Sequence, residues 1–218
     1  CVLIKCVCAS KPDWQLQDIN PTSDQFMTTY GLEAFDEKVL VVSFYKVNCD
    51  FCRQQMGYLQ VMQDQLKNEG YDVAFATILK NTGEIGTTCT TAADCEGTQT
   101  CDEGFCHSDE QKVMVQASNS YGACRFYQSP HCDGGDGSSN ITIAYPVFQD
   151  TVATHAWENN YGGSTKDEIY VYRKDGRLAA FYPASDRIEL MRRDQYANLR
   201  AMLKALDVGK VACDADNP

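Results

Sequence analysis

The chain has 218 residues, 44% of them hydrophobic, with a formal net charge of −11 and a sequence pI near 4.6. That is enough for one good-sized packed domain with an appendage, and it excludes global disorder. The acidity argues against nucleic acid and anionic membrane surfaces as partners, because both call for clustered Lys and Arg. No apolar run is long enough to be a transmembrane segment.

The chain opens on Cys1, which suggests a mature or trimmed form, with a lipid-modified amino-terminal cysteine as an alternative. Residues 1–36 read as a lead-in with turn chemistry, in "KPDW" and "INPTSD". The run "VLVVSFY" begins a buried strand over 39–47. It leads into "KVNCDFCRQQM", where Cys49 and Cys52 stand two residues apart. From Cys52 to about Asn68, Met56, Leu59, Met62 and Leu66 recur at helical spacing, and Gly70 marks a stop. "YDVAFATIL" (71–79) reads as a second strand, which places the cysteine pair at the strand-to-helix turn of a β-α-β unit.

Residues 81–139 change character: Gly, Thr, Ser, Asp and Cys dominate. Six of the twelve cysteines lie there, at 89, 95, 101, 106, 124 and 132. Such a stretch cannot bury a core of its own and needs cross-links. It reads as an insertion stapled by disulfides, two within 89–106, with Cys124 and Cys132 closing a further loop. "HCDGGDGSSN" is a flexible exit; its acidic residues lack the ligand ladder of a calcium loop. "ITIAYPVFQD" is then a strand, 151–161 a short helix, "DEIYVYRKDGRLAAFYP" a hairpin, and 187–206 an amphipathic final helix. Residues 214–218 are a tail.

An even number of clustered cysteines reads as a disulfide framework, and so as a secreted, extracellular or otherwise oxidising luminal setting. Asn140-Ile141-Thr142 is an acceptor sequon for N-glycosylation, which fits that setting. Zinc is the rival. However, only Cys49 and Cys52 have knuckle spacing, and His107, His131 and His155 are scattered.

A strand, a C-x-x-C opening a helix, a β-α-β start and a β-β-α finish resemble the thioredoxin fold, a three-layer α/β sandwich. Three segments are similar to the amino-terminal domain of the selenoprotein P family. They are "CASKPDWQLQDINP", "CDFCRQQMGYLQVMQDQLKNEGYDVAFATI" and "YPVFQDTVATHAWENNYGGSTKDEIYVYRKDGRL". The resemblance implies a discontinuous thioredoxin-like domain over 1–80 and 140–213, interrupted by the 81–139 insertion, and an extracellular redox role. The family's first active-site position is often selenocysteine; here it is Cys49, which implies lower reactivity toward peroxide. Thioredoxins carry a buried Asp beneath the pair, where this chain has Ser43. They carry a cis-proline before the third strand, at a place that falls near Asp167 in "STKDEIYVY".

The pair's chemistry follows from its place. Cys49, just before a helix, would be the attacking thiolate, favoured by the helix amino terminus. Lys46 and Arg53 would add to that effect and Asp50 oppose it. Cys52, one turn in, would resolve a mixed disulfide or a sulfenic acid on Cys49. Protein thiols and disulfides or peroxides are the candidate partners, and no cofactor is needed. The alternative is a redox-inert thioredoxin-like scaffold whose 81–139 insertion binds another protein. Trp14 and Trp157 read as core, and His155 as a lone histidine for which the sequence shows no catalytic constellation.

Overall fold

In the computed structural model, the described residues are 9–46, 49–79, 89–95, 100–102, 105–107, 118–119, 123–127, 129–132, 140–151, 153–159 and 166–210. The chain is built on β1 (Leu16–Asp18), β2 (Thr29–Tyr30), β3 (Val39–Tyr45), α1 (Asp50–Asn68) and β4 (Val73–Leu79). Then come β5 (Thr100–Asp102), β6 (Phe105–His107), β7 (Ser118–Asn119), α2 (Ala123–Phe126), β8 (Asn140–Ile141) and β9 (Val147–Gln149). It ends with α3 (Ala156–Asn159), β10 (Glu168–Tyr172), β11 (Leu178–Tyr182) and α4 (Arg193–Asp207). One seven-stranded sheet in the order β11-β10-β3-β4-β9-β1-β2 carries the fold. β3, β4 and β9 run parallel, and the strands on either side of them are antiparallel.

The central strands β3 and β4 are buried along their whole length, as a sheet covered on both faces requires. Val39, Val41, Tyr45, Val73, Phe75 and Leu79 face a cluster with α1 and α4. Leu40, Val42, Phe44, Ala74, Ala76 and Ile78 face a second cluster with Trp14, Leu32 and Trp157. Both tryptophans are therefore core residues. Each fully buried Leu, Val, Ile or Phe contributes about 1.5–3 kcal/mol relative to exposure.

Helix α1 starts earlier than the apolar spacing suggests, because Cys49 is its cap. Met56, Leu59, Met62 and Leu66 are all buried against the sheet. The helix ends as Gly70 takes a φ of 82° and Tyr71 N–H returns to Leu66 O at 2.9 Å, a turn that favours glycine.

Four segments depart from the sequence reading. The lead-in contributes β1 and β2 to the main sheet, although neither is long enough to show a period. Its anchor is the buried Asp18 carboxylate, which accepts from Asn20 N at 3.0 Å, Val147 N at 3.1 Å and Tyr30 OH at 3.1 Å. "ITIAYPVFQD" is not one strand. Asn20 Nδ2 donates to Ile143 O and Tyr145 O, both at 2.7 Å, and Pro146 has no N–H, so sheet pairing resumes only at Val147. The final helix begins at Arg193, not at residue 187. Residues 187–190 form instead a strap across α1: Gln55 Nε2 donates to Ile188 O at 2.7 Å, and Leu190 N–H donates to Gln55 Oε1 at 3.0 Å. The short helix of 151–161 is reduced to α3.

Candidate functional site

Strand β3 is parallel to β4 at the centre of the sheet, so the turn after it emerges at the sheet's carboxyl edge. Cys49 takes extended backbone there (φ −117°, ψ 106°) and caps α1. Its sulfur accepts the Cys52 N–H at 3.3 Å. Free helix amino-terminal N–H groups and the helix dipole favour negative charge at that atom. Cys49 and Cys52 are joined in a disulfide with Cα atoms 5.2 Å apart. Cys52 is fully buried, and Cys49 is 8% exposed.

The third member of the cluster is Asp167. Antiparallel β10 pairs with β3, so the residue before β10 reaches the end of β3 where the cysteines sit. Asp167 N–H donates to Phe44 O at 2.9 Å, with a φ of 74°. Its Oδ1 lies 3.1 Å from Cys52 Sγ and 4.0 Å from Cys49 Sγ. The residue is 4% exposed. Burial pushes the Asp167 carboxyl above the ordinary carboxylate range, and the positive charges of Lys166 and Arg187 pull it partly back. Arg187 Nη1 donates to Asp167 Oδ2 at 3.3 Å, and its guanidinium carbon lies 4.0 Å from the centre of the Phe51 ring. The strap held by Gln55 delivers this arginine.

On β3, Ser43 occupies a buried polar line rather than an acidic one. Its hydroxyl lies 2.7 Å from Thr77 Oγ1, and Tyr145 OH donates to Met56 O at 3.3 Å. Tyr45 is buried beside this line, and burial holds its phenol well above the usual tyrosine range, with the nearby Tyr145 and Asp167 adding to the shift.

Other singled-out residues fall elsewhere. Arg53 is ion-paired to Asp50, so the two offset each other beside the cysteines. Lys46 is half-buried. His155 is exposed just before α3. Asn140 pairs with Asn119 in the small β7–β8 sheet. The cysteines of the insertion bond in the order 89–101, 95–106 and 124–132. Residues 133–139 of the "HCDGGDGSSN" exit, and Cys1, Cys6, Cys8 and Cys213, lie outside the described residues.

Cys49, Cys52 and Asp167 form one of two groups of possible metal donors among the described residues; Cys89, Cys95 and Cys106 form the other. Every sulfur in both groups is engaged in a disulfide, which leaves no thiolate to ligate a cation in this state.

Two features escaped the sequence. Asp167 stands in the sequence only at the place near which thioredoxins carry a cis-proline, and Arg187 only at the start of the 187–206 stretch that reads as an amphipathic helix. A separate cluster fixes the end of the insertion to α1. His131 Nδ1 lies 3.0 Å from Asp64 Oδ2, Ser129 Oγ also bonds that carboxylate, and Gln60 Nε2 donates to Asp64 Oδ1 at 3.0 Å.

No protein-family model matches the sequence, and no curated protein matches it. Solved structures do. The thioredoxin domain of a thiol-disulfide oxidoreductase from Bacteroides vulgatus aligns over 90% of this chain and 96% of its own, with 13% identity and a TM-score of 0.53. A SCO1/SenC family lipoprotein from Bacillus anthracis aligns over 93% and 97%, with 12% identity and a TM-score of 0.51. A hypothetical protein from Sinorhizobium meliloti aligns over 96% and 88%, with 17% identity and a TM-score of 0.53. The chain has the mixed α/β thioredoxin-like fold, with a disulfide-rich region. Its disulfides suit an oxidising environment. No helix among the described residues is long and apolar enough to cross a membrane.

Proposed function

We propose that the chain is a thiol–disulfide oxidoreductase of an oxidising, extracellular or luminal compartment. Cys49 is its attacking thiol and Cys52 its resolving thiol. One observation carries this reading: the Cys49 sulfur caps α1, takes the Cys52 N–H at 3.3 Å and is bonded to Cys52 itself. A sulfur so placed is a good thiolate, and its neighbour one turn on is positioned to displace whatever it captures. The oxidoreductase named among the structural neighbours supports the same reaction class. The three segments that resemble the selenoprotein P amino-terminal domain support an extracellular setting. They also keep a peroxide in view as an alternative oxidant, which would take Cys49 through a sulfenic acid.

A redox-inert scaffold is the competing reading, favoured by the small exposure of the pair, 8% at Cys49 and none at Cys52. In that case the cysteine-rich 81–139 region would carry a protein-binding role. Redox titration with alkylation mapping separates the two. Selective interconversion of Cys49 and Cys52 at a mild potential, with Cys89–Cys101, Cys95–Cys106 and Cys124–Cys132 intact, supports the oxidoreductase. Reduction of these four bridges together supports the scaffold.

A further inference from the structure

Cys52 raises a problem that the rest of the site answers. A resolving thiol must lose its proton before it can attack, and a fully buried thiol surrendering a proton to bulk water is slow. The buried Ser43, Thr77 and Tyr145 carry hydroxyl groups, which make poor proton acceptors. Arg53 is tied to Asp50. The one carboxylate among the described residues recorded against the cysteine sulfurs is Asp167, 3.1 Å from Cys52 and 4.0 Å from Cys49.

In the disulfide neither sulfur carries a proton. Once the bond is reduced, the 3.1 Å contact becomes a thiol-to-carboxylate hydrogen bond. Resting on the oxidoreductase reading above, we infer that Asp167 is a catalytic residue of this site, the proton acceptor and donor for Cys52.

The step balances as follows. The Cys49 thiolate attacks a substrate disulfide, forming a Cys49 mixed disulfide and releasing one substrate thiolate, which is protonated by water. The Cys52 thiol gives its proton to Asp167. The Cys52 sulfur then attacks the Cys49 sulfur, the mixed disulfide breaks, and the second substrate thiolate leaves with the proton from the Asp167 carboxyl. The substrate disulfide gains two electrons and two protons; the cysteine pair loses two electrons. In reverse, a substrate thiolate opens the Cys49–Cys52 bond, and Asp167 protonates the departing Cys52 thiolate.

The surroundings suit both directions. Burial lifts the Asp167 carboxyl above the ordinary carboxylate range, which makes it a better proton acceptor than an exposed carboxylate. Arg187 at 3.3 Å keeps the ionised form accessible when the proton leaves. The charged and titratable groups facing Asp167 are Cys49 and Cys52 from α1, Tyr45 from the end of β3, Lys166 beside it and Arg187 from the strap. Glu189 meets Arg187 at 3.8 Å from the far side.

The test uses the full chain with its pair reduced and an aromatic disulfide, 5,5′-dithiobis(2-nitrobenzoate), as the probe. The first chromophore released reports attack by Cys49 and the second reports resolution by Cys52. A Cys52→Ser variant identifies the second phase by its loss. Asp167→Asn keeps the shape and tolerates the positive φ; Asp167→Gly tolerates it too and serves if the amide disturbs folding. The expected result is a first phase within about twofold of the parent and a second phase slowed at least about tenfold at neutral pH. In the variants the second phase should rise about tenfold per pH unit, following the thiolate fraction, where the parent is flatter. A second phase unchanged in rate and pH profile in both variants overturns the role of Asp167 and leaves the oxidoreductase reading standing. A parent that releases only one chromophore overturns both.

Discussion

Gln55 and Ile188, 133 positions apart, are joined by a buried hydrogen bond of 2.7 Å, and the other end of the same amide takes the Leu190 N–H at 3.0 Å. One side chain thus does for the strap what a neighbouring strand would do, and the strap carries Arg187 over Phe51 and onto Asp167. Gln55→Ala leaves a buried carbonyl and a buried N–H without partners, at about 1–3 kcal/mol each. Urea unfolding should therefore show a loss of about 2–6 kcal/mol. A loss below about 0.5 kcal/mol would mean the strap is held by something else.

The two cysteines should differ in reactivity once reduced. Only the Cys49 sulfur receives a backbone N–H at the helix start, and Cys52 is the more buried. In the Cys52→Ser variant, Cys49 should alkylate several times faster at neutral pH than Cys52 does in the Cys49→Ser variant. Cys52→Ser should also accumulate mixed disulfides with disulfide substrates, and Cys49→Ser should not. Equal alkylation rates would contradict the assignment of attacker and resolver.

Asp167 also makes stability depend on pH. Its folded carboxyl is raised by burial above its unfolded value. The folded state therefore holds the proton longer than the unfolded state does. The resulting stabilisation is full below the unfolded carboxylate range and is lost as pH rises through the higher folded value. Asp18 is raised by burial as well and tilts the same way, so the test is a difference between proteins. As pH rises above the ordinary carboxylate range, about pH 4, the stability of the parent should fall relative to Asp167→Asn. Parallel stability curves would show that Asp167 does not titrate on unfolding.

Gly31 has an ordinary extended φ of −118°, so its requirement is one of space, not of backbone freedom. A Cβ placed there would overlap the Trp14 carbonyl oxygen and the Glu33 carboxylate. The carboxylate can move; the Trp14 backbone cannot without shifting a core tryptophan. Gly31→Ala should cost about 1–3 kcal/mol in thermal or urea unfolding. Gly70→Ala costs through its φ of 82° instead, with open space around it.

The parts of the fold legible in the sequence were those that carry their own period. Helix α1 showed in Met56, Leu59, Met62 and Leu66, and the β10–β11 hairpin in its alternation around "KDG". The hidden parts are held by single side chains from distant segments. β1 rests on Asp18, the interrupted strand on Asn20 and Pro146, and the strap on Gln55. Ile188 and Leu190 continued the apolar pattern of the last helix, but their two-residue spacing belongs to extended chain. The cysteine pair could be found from spacing; Asp167 could not, because only the pairing of β10 with β3 brings it to the sulfurs.

The lead-in has a last consequence, for solubility. Residues 9–11 bond to the start of β11, with Leu178 N–H to Ala9 O at 2.8 Å, Lys11 N–H to Gly176 O at 2.9 Å and a bridge from Ser10 to Arg177. The same segment then crosses the sheet face and becomes β1 and β2 on the far side. One stretch of chain therefore occupies part of one border of the sheet and forms the whole of the other, which ends in a two-residue strand. At the start of β11 and beyond β9, this segment takes up backbone that could otherwise template a strand from another molecule. Loosening this segment should show first as self-association during refolding, before any loss at the cysteine pair.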